Sequence, residues 1–267
     1  TLKIAIGDVG DAGNDSALIV SNLSLVRDAP RGVLRVIEGT TVDDVLEGGE
    51  GADRMLLGEG NDVASGLGGN DWIRGGAGDD ALDGGRGIDT AQYSVPRAAA
   101  TLTRDANGWT VRSAADGVDT LTGMERLVFS DMRVALDLDG NAGTVARLLG
   151  ALFGPSATSN RIYAGIGLEL LDSGTSSAQL AALAVATDEF ARLAGGRSNA
   201  QFVDLVYRNV VGTAPTEAER ALFVGWLDRG EQTQGSLALL AAETPLTAQA
   251  IGLVGPPSSR DASHAPA

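Results

Sequence analysis

The chain has no cysteine and a single histidine, His264, among 267 residues. Without cysteine there are no disulfides, no thiolate nucleophiles and no thiolate-bound metals, so a secreted chain of this size relies on a large core or on oxygen-ligated metals. With its one imidazole in the closing stretch "PPSSRDASHAPA", the chain cannot build an H-E-x-x-H zinc centre or a Ser-His-Asp or Cys-His arrangement. It also lacks the G-x-x-x-x-G-K-[ST] phosphate cradle, and no catalytic site is expected in these residues. Basic residues are scarce: Lys plus Arg number 20 against 35 Asp plus Glu, giving a net charge of −15 and a pI near 4.4. That balance argues against nucleic acid as a partner and suits cations. There is no apolar run long enough for a transmembrane helix and no amino-terminal signal pattern. The chain opens without Met in the strand-like "TLKIAIGDVGD", and we expect it to be a piece of a longer protein.

What is present falls into zones. Residues 1–37 alternate apolar and polar, which predicts strands. Residues 39–92 are rich in glycine and aspartate. Residues 93–138 are strand-like again, with Asn107-Gly108 predicting a hairpin between 100–104 and 109–113. From 139 to 254 the pattern is helical. Ser198 with Gln201, and Thr216 with Glu219, have capping-box spacing, while Gly195-Gly196, Gly212 and Gly230 mark helix ends. Phe202, Leu205 and Val206, then Leu222, Phe223, Trp226 and Leu227, form stripes that predict the core of a helical bundle. Residues 255–267 read as a disordered tail.

By composition the second zone is an acidic flexible linker, but its period says otherwise. Cut into rows of nine from Gly39, it reads GTTVDDVLE, GGEGADRML, LGEGNDVAS, GLGGNDWIR, GGAGDDALD, GGRGIDTAQ. The sixth column is Asp44, Asp53, Asp62, Asp71, Asp80 and Asp89, although Asp fills only 24 of 267 positions overall. The eighth is apolar throughout: Leu46, Met55, Ala64, Ile73, Leu82 and Ala91. Glycines at positions 1, 2 and 4 suit a tight turn with positive φ that exposes its carbonyls, and the aspartate adds a carboxylate at the turn's end. An oxygen-only donor set selects a hard cation such as Ca²⁺. Positions 7–9 predict a three-residue strand with position 8 pointing inward.

These rows resemble the RTX nonapeptide, G-G-x-G-x-D-x-U-x, whose repeats form calcium-binding parallel β-rolls. The resemblance implies two rows per coil, so that Asp44, Asp62 and Asp80 stack on one side and Asp53, Asp71 and Asp89 on the other. It further implies that each ion takes Asp from rows i and i+2, which makes 44/62, 53/71, 62/80 and 71/89 about four complete sites. Backbone carbonyls of Gly49, Gly51, Gly58, Gly60, Gly69, Gly76 and Gly78 are the expected remaining ligands. Row one has Thr40 and Val42 in place of glycines and predicts a poor site; Leu57 and Leu67 replace single glycines and predict strained turns.

The flanks carry weaker resemblances. "WTVRSAADGVDTLTGMERLVFSDMRVALDLDGNAG" resembles the β-rich stretch that follows RTX repeats and caps the roll, whose last coil would otherwise expose an edge. Asp116, Asp119 and Glu125 within it match no ligand template and read as ordinary turn and surface carboxylates, with a further ion as the alternative. Residues 138–254 are similar to an uncharacterised helical family, distantly like phycobilisome-linker repeats, found at the carboxyl end of secreted RTX proteins. "LDLDGN" opens like an EF-hand loop but has Ala142 and Leu148 at the positions for the loop's Gly and Glu, and is not read as one. "AIGDVGDAGNDSALIVSNLSL" resembles the last strands of a β-sandwich module; Asp8, Asp11, Asn14 and Asp15 crowd a loop read as solvated, with calcium as the alternative.

The expectation is thus a mixed fold: the strands of a truncated β-sandwich, a six-row roll, a β-rich cap and an all-α domain. The expected function is calcium-coupled folding outside the cell, in a secreted or cell-surface protein of adhesive or structural kind. A module serving an upstream extracellular hydrolase is the alternative. The resemblance implies a type I secretion apparatus as partner, and cell-surface or matrix components are further candidates.

Overall fold

The computed structural model describes residues 5–8, 16–21, 35–105 and 108–253, with side chains from residue 35 onward. It divides into two compact units, Thr1–Leu136 and Asp137–Ala267.

In the first unit, the odd and even rows of the repeat separate into two sheets. Strands β4 (Val45–Gly49), β6 (Val63–Leu67) and β8 (Ala81–Asp83) come from odd rows and pair in parallel. Strands β5 (Asp53–Glu59), β7 (Trp72–Ala77) and β9 (Thr90–Gln92) come from even rows and do the same. The result is a parallel β-solenoid of about three turns. Register follows the nonapeptide: Leu46 faces Ala64, Ala64 faces Leu82, Met55 faces Ile73 and Ile73 faces Ala91. All six position-8 side chains are buried in one core. Full burial of a large apolar side chain contributes roughly 1.5–3 kcal/mol, so Leu46, Met55, Ile73 and Leu82 stabilise the coils through this column.

Only β8 and β9 have the predicted three residues; β4, β5, β6 and β7 run on into the following row. Alternation explains the extension, because position 1 of the next row points inward as position 8 does. Leu57, at such a position, is fully buried, and no positive φ occurs there. It is a core residue rather than a strained turn. Leu67 does carry strain, as the one non-glycine with positive φ, +73°, among the described residues.

The roll is flanked on both sides. Before it, β3 (Arg35–Glu38) pairs in parallel with β5, β2 (Ser16–Ser21) with β3, and β1 (Ala5–Asp8) runs antiparallel to β2. After it, β10 (Ala100–Arg104) and β11 (Trp109–Ser113) form the predicted hairpin; of its turn pair, Asn107 lies outside the described residues. Then β12 (Gly117–Thr122) leaves β11 to lie parallel to β8, and β13 (Arg126–Val128) lies parallel to β9 and pairs with β14 (Arg133–Ala135). Leu121, Leu127, Phe129 and Val111 close the core from this side. Asp11, Asn14 and Asp15 lie outside the described residues, as does the tail 255–267, and only the backbone of Asp8 is described.

In the second unit the described residues form eight helices: α1 (Asn141–Phe153), α2 (Arg161–Asp172), α3 (Ser177–Ala186), α4 (Asp188–Ala194), α5 (Asn199–Val211), α6 (Glu217–Asp228), α7 (Gln234–Ala242) and α8 (Pro245–Ala250). Both predicted capping boxes are present, and Gly195 and Gly212 end their helices in the left-handed conformation. Phe202, Val206 and Leu227 are buried, with Leu205, Phe223 and Trp226 packed against them, whereas Leu222 is exposed. Asp137, at the start of "LDLDGN", accepts the Ala142 N–H and so serves the entry to α1. No helix among the described residues is long and apolar enough to cross a membrane.

Candidate metal centre

The six repeat aspartates form two ladders. Each backbone N–H at position 6 donates to the carboxylate one coil further on: Asp44 to Asp62 Oδ1 (2.8 Å), Asp62 to Asp80 Oδ1 (2.9 Å), Asp53 to Asp71 Oδ1 (2.7 Å) and Asp71 to Asp89 Oδ1 (2.7 Å). The expected columns 44/62/80 and 53/71/89 are therefore assembled, on opposite sides of the roll. A second ladder at position 5 runs the other way, with Asn61 N–H donating to Asp43, Asp79 N–H to Asn61 and Ile88 N–H to Asn70.

The turns between them are held open by glycine. Positive φ occurs at position 2 (Gly58, Gly76, Gly85) and position 4 (Gly60, Gly69, Gly78, Gly87). A Cβ at Gly76 would overlap the carbonyl oxygen of Gly58, and one at Gly78 or Gly87 that of Gly60 or Gly69. At position 1, Gly66 and Gly75 serve a different purpose, since a Cβ there would run into Oδ2 of Asp71 or Asp80, whereas row three places the Leu57 side chain in the core at this position. The glycines at positions 2 and 4 thus bring stacked carbonyls close together, and those at position 1 leave room for the carboxylate. Gly49 and Gly51 have no positive φ, so the turn of row two is built differently from the later ones.

A cation fits this donor set. Oδ2 of Asp62, Asp71, Asp80 and Asp89 is buried without a hydrogen-bond partner. A buried oxygen left unpaired costs about 1–3 kcal/mol, and more if charged. Asp44 and Asp53 differ, because their Oδ2 atoms accept the N–H of Thr40 (2.6 Å) and of Gly49 (2.6 Å). Thr40, with its hydroxyl also on Asp44 at 2.8 Å, thus occupies the donor atom that row one would offer an ion. Among the described residues no three carboxylates converge on one point, so an ion here must complete its shell from turn carbonyls.

The ladders do not stop at the repeats. Asp80 N–H donates to Asp119 Oδ1 (3.1 Å), and Asp89 N–H to Glu125 Oε2 (2.8 Å). Asp116 and Asp119 are buried rather than surface carboxylates, which corrects the expectation for them; Glu125 stands on the ladder as well. The surrounding hydrogen bonds repeat those of the rows. Gly60 N–H donates to the Ala77 carbonyl and Gly69 N–H to Arg86; Gly78 N–H donates to Asp116 in the same way. Gly117 then takes position 4 with φ +85°, Asp119 position 6 and the buried Leu121 position 8. On the other side Glu125 takes position 6 and the buried Leu127 position 8. The upstream end of the even column is closed by a cation from the chain itself. Arg35 occupies position 6 of the coil before Asp53, its Nε 3.3 Å from Asp53 Oδ1, with both side chains buried.

Burial dominates the electrostatics. It pushes Asp71 up to about 7 and Asp89 up to about 6, and it also raises Asp62 and Asp80. Asp119 is pushed up to about 7, by burial and then by the Asp80 carboxylate. A divalent ion reverses the sense of all these shifts by favouring the charged form.

Two stretches, residues 36–64 and 58–91, match the model of the RTX calcium-binding nonapeptide repeat (4 copies). No curated protein matches the chain. Among solved structures it is similar to the extracellular lipase LipA from Serratia marcescens, at 21% identity and a TM-score of 0.25, over 42% of this chain and 17% of the lipase. A likeness that shallow says nothing about activity.

Proposed function

From the premise that residues 36–91 are RTX calcium-binding nonapeptide repeats, we propose that this chain is the calcium-dependent folding region of a secreted bacterial protein of adhesive or structural kind. The observation that carries the reading is the set of four buried, unpartnered carboxylate oxygens on Asp62, Asp71, Asp80 and Asp89. In the absence of an ion the stacked carboxylates repel and stay partly desolvated, which favours the unfolded chain. Calcium, held by the repeat aspartates and the turn carbonyls, converts binding energy into folding energy. Its chemistry here is structural: charge neutralisation and bridging of successive coils. Extracellular calcium-binding modules work at roughly 10⁻⁴–10⁻³ M, well above the free calcium of a cytosol. The roll would therefore stay unfolded inside the cell, ready for export by a type I apparatus, and fold outside. These residues have no catalytic role in this reading. The same module would serve equally in an extracellular hydrolase, and the presence or absence of a catalytic domain elsewhere in the protein separates the two. Isothermal titration of the full chain tests the calcium step. Saturable uptake of calcium, with magnesium far weaker, is expected; no uptake of calcium up to 10 mM, on the order of ten times the upper value for such modules, would contradict it.

A further inference from the structure

The nonapeptide pattern ends at Gln92, but the coil does not. After an excursion through the hairpin β10–β11, the chain returns and lays β12 on β8 in the register Thr120↔Ala81 and Leu121↔Leu82. It then lays β13 on β9 in the register Arg126↔Thr90 and Leu127↔Ala91. Those registers put Asp119 one coil beyond Asp80 and Glu125 one coil beyond Asp89, each accepting the position-6 N–H that a repeat aspartate accepts elsewhere. The position-5 ladder continues too, with Val118 N–H donating to Asp79 Oδ1 at 2.8 Å.

We propose that residues 116–128 form a seventh and an eighth row without the nonapeptide spacing, and that Asp119 and Glu125 are calcium ligands completing two further sites, with Asp80 and with Asp89. The inference rests on the calcium reading of the repeats and extends it beyond them. Acidity alone does not carry it. Asp80 and Asp89, the repeat residues that these rungs share, are 2% and 0% exposed, and each carries a buried Oδ2 without a hydrogen-bond partner between the last repeat rung and the new one. The Tyr93 hydroxyl is buried beside Asp119, close enough to feel its charge but without a hydrogen bond of good geometry. A cation between Asp80 and Asp119 gives the Asp80 oxygen a partner, and one between Asp89 and Glu125 does the same for Asp89. Calcium at these rungs ties the cap to the last coil, so roll and cap close together rather than in sequence.

The test is the number of calcium ions held by the full chain, counted by native mass spectrometry at saturating calcium. Asp119→Asn and Glu125→Gln each keep an oxygen to accept the Asp80 or Asp89 N–H while removing the charge, so a merely structural role is preserved. Six ions are expected in the unaltered chain, one fewer in each single variant and two fewer in the double variant, with far-UV circular dichroism checking that the calcium-loaded variants are folded. Counts equal to the unaltered chain in both single variants overturn the proposal. Where a variant does not fold, the unaltered chain decides: more than four ions supports the two extra sites, and four or fewer overturns them. A count of zero overturns the calcium reading of the repeats as well, which keeps the two failures apart.

Discussion

The Arg35 guanidinium lies 3.3 Å from the Asp53 carboxylate, with both side chains buried, at the position where the ladder would otherwise begin with another aspartate. A fixed cation thus starts the even column. Removing one partner of a buried pair leaves an uncompensated charge and costs about 3–5 kcal/mol. Arg35→Met is therefore expected to lower the urea midpoint of the β unit in the calcium-loaded chain. Arg35→Met with Asp53→Leu should recover part of that loss, because two apolar groups leave no charge stranded. Arg192→Met, at an exposed pair with Glu189, should leave the midpoint in place.

The acidity of the column predicts an inverted pH response. Burial raises Asp71 and Asp119 to about 7 and Asp89 to about 6, above the value of about 3.9 for an unfolded Asp. The ion-free folded chain therefore holds protons that the unfolded chain has released. The stability gained from them is complete below the unfolded value and is lost as pH rises through 6 and 7. In chelator, circular dichroism should show more β structure at pH 5 than at pH 8. Calcium affinity should move the opposite way, since proton and ion compete for the same oxygens. A chelated chain more folded at pH 8 would contradict this.

Glycines in the two units should respond with opposite sign. Gly76 has φ +119°, and a Cβ there would overlap the Gly58 carbonyl oxygen. Gly76→Ala should weaken calcium-dependent folding several-fold or abolish it. Gly165 in α2 has nothing within 4 Å of the corresponding position. Gly165→Ala should stabilise the helical unit by roughly 0.5–1 kcal/mol through helix propensity. Thermal unfolding of each variant with calcium present reads both.

Within the columns, Asp62→Asn should reduce calcium affinity more than Asp44→Asn. Asp62 stands between Asp44 and Asp80 and carries a buried unpartnered oxygen, whereas Thr40 holds the corresponding oxygen of Asp44. Calorimetric titration compares the two, and equal losses would argue against ions shared between successive coils.

The roll was legible in the sequence because its physics repeats at one spacing. Asp44 to Asp89 and Leu46 to Ala91 recur every nine residues, so turn, ligand and core announced themselves together. Leu57 lies in the core rather than in a strained turn because position 1 points inward, which the nine-residue spacing alone does not reveal. Arg35 was invisible because the row it belongs to has a cation where the pattern has Asp. Asp119 and Glu125 stand out in the sequence as candidates for a further ion, but their place on the columns is hidden by the hairpin before them and by a spacing of six rather than nine between them; only strand register shows it. "GVDTLTG" at 117–123 did contain the signal, a Gly, Asp and Leu at the offsets of positions 4, 6 and 8.

The central claim is that calcium folds the roll. Amide hydrogen exchange of the full chain, followed by mass spectrometry in chelator and in millimolar calcium, tests it segment by segment. Strong protection across residues 45–92 that appears only with calcium, with protection of the helices between 141 and 250 unchanged, is the predicted result. Equal protection of residues 45–92 in both conditions would contradict it.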